Sequence, residues 1–189
     1  MPVQYRDMSQ VVDQGYIRTY TGRTFSPLHP DPEDICIEDI AHALSQLNRW
    51  GGHTAEPYSV AEHSIRVAHL LPDELKLYGL LHDAPEAYGL VDLPRPVKYL
   101  PGMEYYRELC ERVEQTIFER FGLSWPAPPE VKVADRILLK TEARDLFSPP
   151  RDLSNIPHDP LPESIGPCLP PYVAERHFLY LFRLWGGDA

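Results

Sequence analysis

Cysteine is scarce. The chain of 189 residues holds three, Cys36, Cys110 and Cys168. Their number is odd, their spacing is wide and no CxxC pair occurs, which excludes a disulfide framework and points to reduced thiols in the cytoplasm. Long apolar runs are missing too: no stretch approaches the ~18 residues of a membrane span. The first twenty residues are polar and lack the apolar segment of a secretory signal. Basic residues are in the minority, with 18 Lys and Arg against 28 Asp and Glu and a net charge of −10. A chain of that sign is repelled by nucleic-acid phosphate, so a nucleic-acid partner and a membrane partner are both disfavoured. An anionic small molecule remains possible, because a bound metal or a few cations can focus positive charge locally.

What is present suits a globular protein. The chain is 43% hydrophobic and 24% charged, near the globular norm, and long enough to bury a core without disulfides. The 21 prolines cluster between periodic segments. Residues 1–32 read as an irregular arm with a little β character at Tyr16–Tyr20 and a turn at Thr21-Gly22-Arg23. Helical periodicity starts near Glu33 and runs to Gly51-Gly52 through Ile37, Ile40, Ala41, Leu44 and Leu47. Ser59 with Glu62 three residues on marks a capping box, followed by Val60, His63, Val67 and Leu70 on one face. Pro72 opens a helix to about Ala84. Residues 91–102 form a Pro-rich loop. A long amphipathic helix covers about Met103–Phe121, and another runs from Pro128-Pro129 to about Phe147. Residues 148–171 are a Pro-rich surface segment, and residues 172–189 hold a last helix. The expectation is an all-α single domain over 1–189 with about six helices: an N-terminal arm (1–32), a core (33–147), the Pro-rich segment and the C-terminal helix.

Several ionisable residues interrupt apolar faces. His63 lies on an inward stripe, His82-Asp83 follows Leu80-Leu81, and Asp135 breaks "VKVADRILL". Burying one such group without a partner costs a few kcal/mol, on the order of 2–7. Two imidazoles and two carboxylates meeting on one divalent cation would remove that cost, and N/O donors suit Mn, Co, Ni or Zn. The lack of nearby cysteine argues against a closed structural zinc site. Taken singly, each residue has a plainer reading: a histidine on an apolar face is more often a hydrogen-bonded core residue, and Asp135 can pair with a neighbouring arginine.

Taken together, "AEHS", "LLHDAPEA" and "VADRILL" in this order resemble the H…HD…D signature of the HD-domain metal-dependent phosphohydrolases. "NRW" (48–50), "SVAEHS" (59–64), "HDAPEAYGLVDLPRPVKY" (82–99) and "ADRILLK" (134–140) tighten the resemblance to bacterial 5'-deoxynucleotidases and phage dATP triphosphohydrolases, over roughly residues 33–147. The resemblance implies an HD-type helical bundle. It also implies that His63, His82, Asp83 and Asp135 ligate a divalent metal, one of Co, Mn, Zn, Ni or Mg. Glu86 and Asp92 become the candidate catalytic groups, for proton transfer and for positioning the nucleophile or the sugar. Arg49 and Lys98 are the candidate phosphate contacts, and Trp50 lies against the sugar, where its bulk leaves no room for a 2'-hydroxyl. Outside that context Glu86 reads as a surface carboxylate, Asp92 as a turn cap, Lys98 as a solvated lysine and Trp50 as a core anchor. Arg23, Arg66, Arg95, Arg136, Lys140 and His53 are weaker candidates.

The implied activity is hydrolysis of 2'-deoxynucleotides at the α-phosphorus. The short form and the arm favour a dNTP substrate releasing triphosphate, with a dNMP releasing phosphate as the alternative. A non-catalytic nucleotide-binding module is the reading of another class. The resemblance also implies a homo-oligomer, with Tyr105, Phe178, Tyr180 and Trp185 as exposed aromatics available to support it; the plainer reading is that these aromatics close the core of the monomer.

Overall fold

The computed structural model describes residues 15–91 and 93–187. The described chain enters through an antiparallel hairpin. β1 (Ile17–Arg18) pairs with β2 (Thr24–Phe25), Ile17 opposite Phe25. The expected turn closes it: Gly22 sits at φ +86°, where its N–H reaches Thr19 O at 3.0 Å and a side chain would be strained.

Seven α-helices follow among the described residues, against the expected six or so. They are α1 (Ile37–Gln46), α2 (Val60–His69), α3 (Lys76–Leu81), α4 (Arg95–Lys98), α5 (Glu104–Arg120), α6 (Pro129–Asp145) and α7 (Pro171–Leu184). The all-α single-domain class holds. The extra helix is the single turn α4, formed inside the Pro-rich loop where Pro94 O accepts from the N–H groups of Val97 and Lys98. Proline opens α6 and α7 at the first turn, where its missing N–H costs nothing.

The boundaries shift where proline or an extended residue interrupts the ladder. The first expected helix starts at Ile37 rather than Glu33, because Pro32–Asp34 form a separate 3₁₀ turn ended by extended Ile35. The expected helix from Pro72 to Ala84 splits into a 3₁₀ turn (Asp73–Leu75), α3 and a second 3₁₀ turn (Ala84–Tyr88). Pro85 lacks the N–H that would continue the ladder. Half of the expected capping box forms: Ser59 Oγ accepts from Glu62 N–H at 3.1 Å, while the Glu62 carboxylate accepts from Arg66 and Leu169 N–H instead.

Helix α2 is the centre of the packing, touching α1, α3, α6 and α7, while α1 lies along α7. Ile40, Leu44, Ile65, Leu80, Val113 and Phe178 meet in the main core, and Val67, Leu71, Val131 and Leu138 form a smaller cluster between α2 and α6. Three expected orientations differ. Leu70 is exposed, because α2 ends at His69 and Leu70 caps it. Phe178 is fully buried and Trp185 is half-buried against the core, whereas Tyr105 and Tyr180 are exposed as expected. Helices α2 and α3 approach closely at Gly79, where an added Cβ would stand 2.9 Å from Ala68 Cα. Among the described residues no helix is long and apolar enough to cross a membrane.

Candidate metal centre

The close α2–α3 packing aims two histidines at each other. His63 shares a buried face of α2 with Val60 and Val67 and is itself 0% exposed. His82 caps the end of α3 and donates from Nδ1 to Gly79 O at 2.8 Å. Asp83 follows at the start of the next turn. The two Nε2 atoms are 3.3 Å apart. Asp83 Oδ2 lies 3.2 Å from His82 Nε2 and 3.5 Å from His63 Nε2. The three residues thus offer ligand atoms all within 4.8 Å of one another, a group that can hold a metal ion. From α6, Asp135 Oδ1 comes within 3.5 Å of His63 Nε2, just outside that tight trio, while its Oδ2 accepts from Lys132 Nζ at 2.9 Å.

Counting protons shows why a cation fits. His63 Nδ1 is 2.6 Å from Glu142 Oε1, and His82 Nδ1 faces a carbonyl. Both partners accept, so each Nδ1 carries a proton, and each ring turns its Nε2 toward the other, the atom that offers a lone pair whenever the ring is in its neutral form. Two lone pairs and the Asp83 carboxylate therefore converge. Among the described residues the one cationic side chain reaching Asp83 from outside the trio is Arg49, whose Nη1 is 3.3 Å from Oδ2. Such a set needs a positive centre, and two imidazoles with one or two carboxylates suit a first-row divalent metal. The same demand appears in the protonation of the site. Burial opposes a charge on His82, but the adjacent Asp83 outweighs it and pushes the pKa up to about 9. Burial also opposes the Asp83 carboxylate, yet His82, His63 and Arg49 hold it well below the usual range. Asp135 is lowered against its own burial by His63 and Lys132.

One residue of the site carried no functional assignment in the sequence. Glu142, 0% exposed on α6, accepts from His63 through Oε1. Its Oε2 accepts from Trp50 Nε1 at 2.9 Å and from Arg49 Nε at 3.2 Å. Burial pushes its carboxyl up, and Arg49 and His63 bring it below the ordinary value. A histidine ligand whose other nitrogen is held by a carboxylate has a fixed ring and a more basic lone pair. The available signal was Glu142 itself, two turns after Asp135 on the stripe through Leu138.

Arg49 and Trp50 reach Glu142 from a turn (Arg49–Gly52) tied to the start of α2: Arg49 N–H donates to Tyr58 O and Val60 N–H to Leu47 O, both at 2.9 Å. Trp50 stands at φ +57°, a left-handed conformation that costs a non-glycine residue about 1–2 kcal/mol. Gly51 and Gly52 continue the left-handed run. The turn is thereby bent so that indole and guanidinium both point at Glu142.

The other expected residues are placed as follows. Glu86 is buried in the turn after Asp83. Lys98 is half-buried at the end of α4. Asp92 lies outside the described residues. Arg66 is paired with Glu62, at 2.7 Å from Nη2, and Lys140 Nζ donates to Ile156 O and His158 O. Arg23 donates to Glu33 O, and His53 is exposed. The three cysteines are free thiols.

The fold and the cluster together define an all-α protein with a candidate metal centre between three helices. The chain is 40% identical over 131 residues to YfdR of Escherichia coli strain K12, covering 69% of this chain and 72% of YfdR. It is 42% identical over 142 residues to RCAP_rcc00048 of Rhodobacter capsulatus, covering 68% of this chain and 71% of that protein. It belongs to the family that contains YfdR. Both relatives are described only as uncharacterized proteins. No family model matches the chain.

Proposed function

We propose that the chain is a cytoplasmic metal-dependent phosphohydrolase of 2'-deoxynucleotides. It would attack the α-phosphorus and release a deoxynucleoside. The observation that carries the reading is the convergence of the His63, His82 and Asp83 acceptors, with Asp135 beside them and Arg49 as the cation reaching Asp83. The resemblance of the "NRW", "HDAPEAYGLVDLPRPVKY" and "ADRILLK" blocks to deoxynucleotidases supplies the substrate class.

His63, His82, Asp83 and Asp135 would hold the divalent ion. When bound, it supplies a water of lowered pKa and neutralises phosphate charge. The chain's own groups do the rest. Glu142 keeps the His63 proton on Nδ1 and its ring in place. Glu86, in the turn after Asp83, is the proposed proton-transfer group. Arg49 and Lys98 are the proposed phosphate contacts. The Trp50 indole lies against the sugar and excludes a 2'-hydroxyl, and Asp92 completes the set. The short form and the arm favour a dNTP substrate, with triphosphate as the second product. A second copy of the chain is the proposed partner in a homo-oligomer.

The test is a side-by-side assay of dAMP, dATP and ATP with Mn, Co, Zn, Ni or Mg, resolving phosphate from triphosphate. The expected result is dATP cleavage to deoxyadenosine and triphosphate, abolished by EDTA and by Asp83→Ala at unchanged helical content, with Trp50→Ala admitting ATP. Phosphate from dAMP alone would mark a 5'-deoxynucleotidase. Nucleotide binding without turnover under every metal would mark a binding module. Cleavage by demetallated protein would overturn the reading.

A further inference from the structure

The Pro-rich segment 148–171 looks like a detour, yet it is fastened down. Arg151 N–H donates to Ala143 O at 2.8 Å, beside Glu142. Farther on, Thr141 Oγ1 accepts from Leu161 N–H, Asp145 Oδ2 from Ile165 N–H and Glu62 Oε2 from Leu169 N–H, at 2.7–2.9 Å. The first of these anchors sets the Arg151 guanidinium over the Trp50 ring, 5.1 Å from its centroid. The Trp50 indole is thus bounded by Glu142 at its N–H, by Phe147 edge-on at 5.2 Å, and by Arg151 on its face.

Arg151 differs from Arg49, Lys132, Arg66 and Lys140. Arg49 has Nε and Nη1 committed to Glu142 and Asp83, Lys132 is held by Asp135, Arg66 by Glu62 and Lys140 by two carbonyls. The Arg151 guanidinium is exposed and forms no hydrogen bond or ion pair among the described residues; its neighbour Asp152 is turned to Ser154. A guanidinium held over an indole by a cation–π contact alone leaves its N–H edge uncommitted. That edge is suited to bidentate recognition of phosphate oxygens. In a chain of net charge −10, a polyanionic ligand needs such a local cation.

We propose that Arg151 is a phosphate-contact residue of the same site, binding the part of a polyphosphate that extends beyond the phosphate at the metal. The inference rests on the phosphohydrolase reading for where the ligand lies. It makes the site one for a nucleoside triphosphate rather than a monophosphate, and gives the Pro-rich segment the task of carrying that arginine to Trp50.

The test measures binding, not turnover. Inorganic tripolyphosphate and inorganic phosphate are titrated calorimetrically into Mn-loaded full-length protein, comparing wild type with Arg151→Gln, Arg151→Lys and the distant, exposed Arg183→Gln. Arg151→Gln should weaken tripolyphosphate binding about tenfold or more, as expected for a lost charge-assisted pair, and phosphate much less. Arg151→Lys should recover part of the loss, and Arg183→Gln should match wild type. Equal tripolyphosphate affinity in Arg151→Gln and wild type, an equal loss in Arg183→Gln, or no binding by wild type would overturn the proposal. Arg151-dependent binding in a protein that cleaves no nucleotide would sink the phosphohydrolase reading and leave this one standing.

Discussion

Replacing Glu142 by alanine would remove three hydrogen bonds from the interior at once. His63 Nδ1–H, Trp50 Nε1–H and Arg49 Nε–H would each face a cavity, and Arg49 has a side chain only 10% exposed. Breaking a buried ion pair from one side costs about 3–5 kcal/mol. Asp83 still faces Arg49 at 3.3 Å, which favours the lower end, about 3 kcal/mol. For a chain of this size that is a fall in Tm of about 6–12 °C. Glu142→Gln keeps one acceptor oxygen and should lose about half as much. Because the freed His63 ring also loses its orientation, affinity for Mn should drop about 10–100-fold in either variant. Thermal unfolding followed by circular dichroism, with and without Mn, reads the first effect, and calorimetric titration of the metal reads the second. A Glu142→Ala protein that melts within about 2 °C of wild type and binds Mn with unchanged affinity would refute both the relay and its energetic weight.

Two further outcomes follow from the packing and from a second buried carboxylate. Gly79→Ala places a methyl 2.6 Å from Leu71 Cδ1 and 2.9 Å from Ala68 Cα; the backbone contact has no easy escape, so the variant should lose about 1–3 kcal/mol and weaken metal binding by displacing His82, and a variant as stable as wild type would deny the close α2–α3 approach. Asp39, 3% exposed, accepts from Thr21 N–H, Thr21 Oγ1 and Cys36 Sγ. Burial raises its pKa, but the Thr21 N–H and its companions outweigh burial and hold it below the usual carboxylate range. Its contribution is therefore fully present above the unfolded carboxylate pKa and lost as pH falls through the lower folded value. Urea unfolding should show Asp39→Asn less stable than wild type by roughly 1–3 kcal/mol at about pH 6, with the gap narrowing toward about pH 3; a pH-independent gap would refute the assignment.

Much of the helical layout was legible because it depends on neighbours in sequence. The apolar steps of α5 and α6, the Ser59 N-cap and the turn at Gly22 are all local signals, and each appears within a few residues of its expected place. The departures are local too. Pro85 cuts the third expected helix, and the end of α2 at His69 turns Leu70 outward. Phe178 departs from its expected exposure because the last helix shows an apolar face without showing what covers it; α1 does.

The order of His63, His82-Asp83 and Asp135 on successive helical faces was set by the sequence alone, since each interrupts an apolar stripe that must turn inward. Their approach to within hydrogen-bond distance was decided by the tertiary structure, through the Gly79 contact that lets α3 close on α2. So was the role of Glu142, which is 79 residues from His63 and 93 from Arg49 along the chain, and the seat of Arg151 above Trp50. Periodicity specifies which face a residue joins; only packing specifies which residues of distant faces exchange a proton or share a charge.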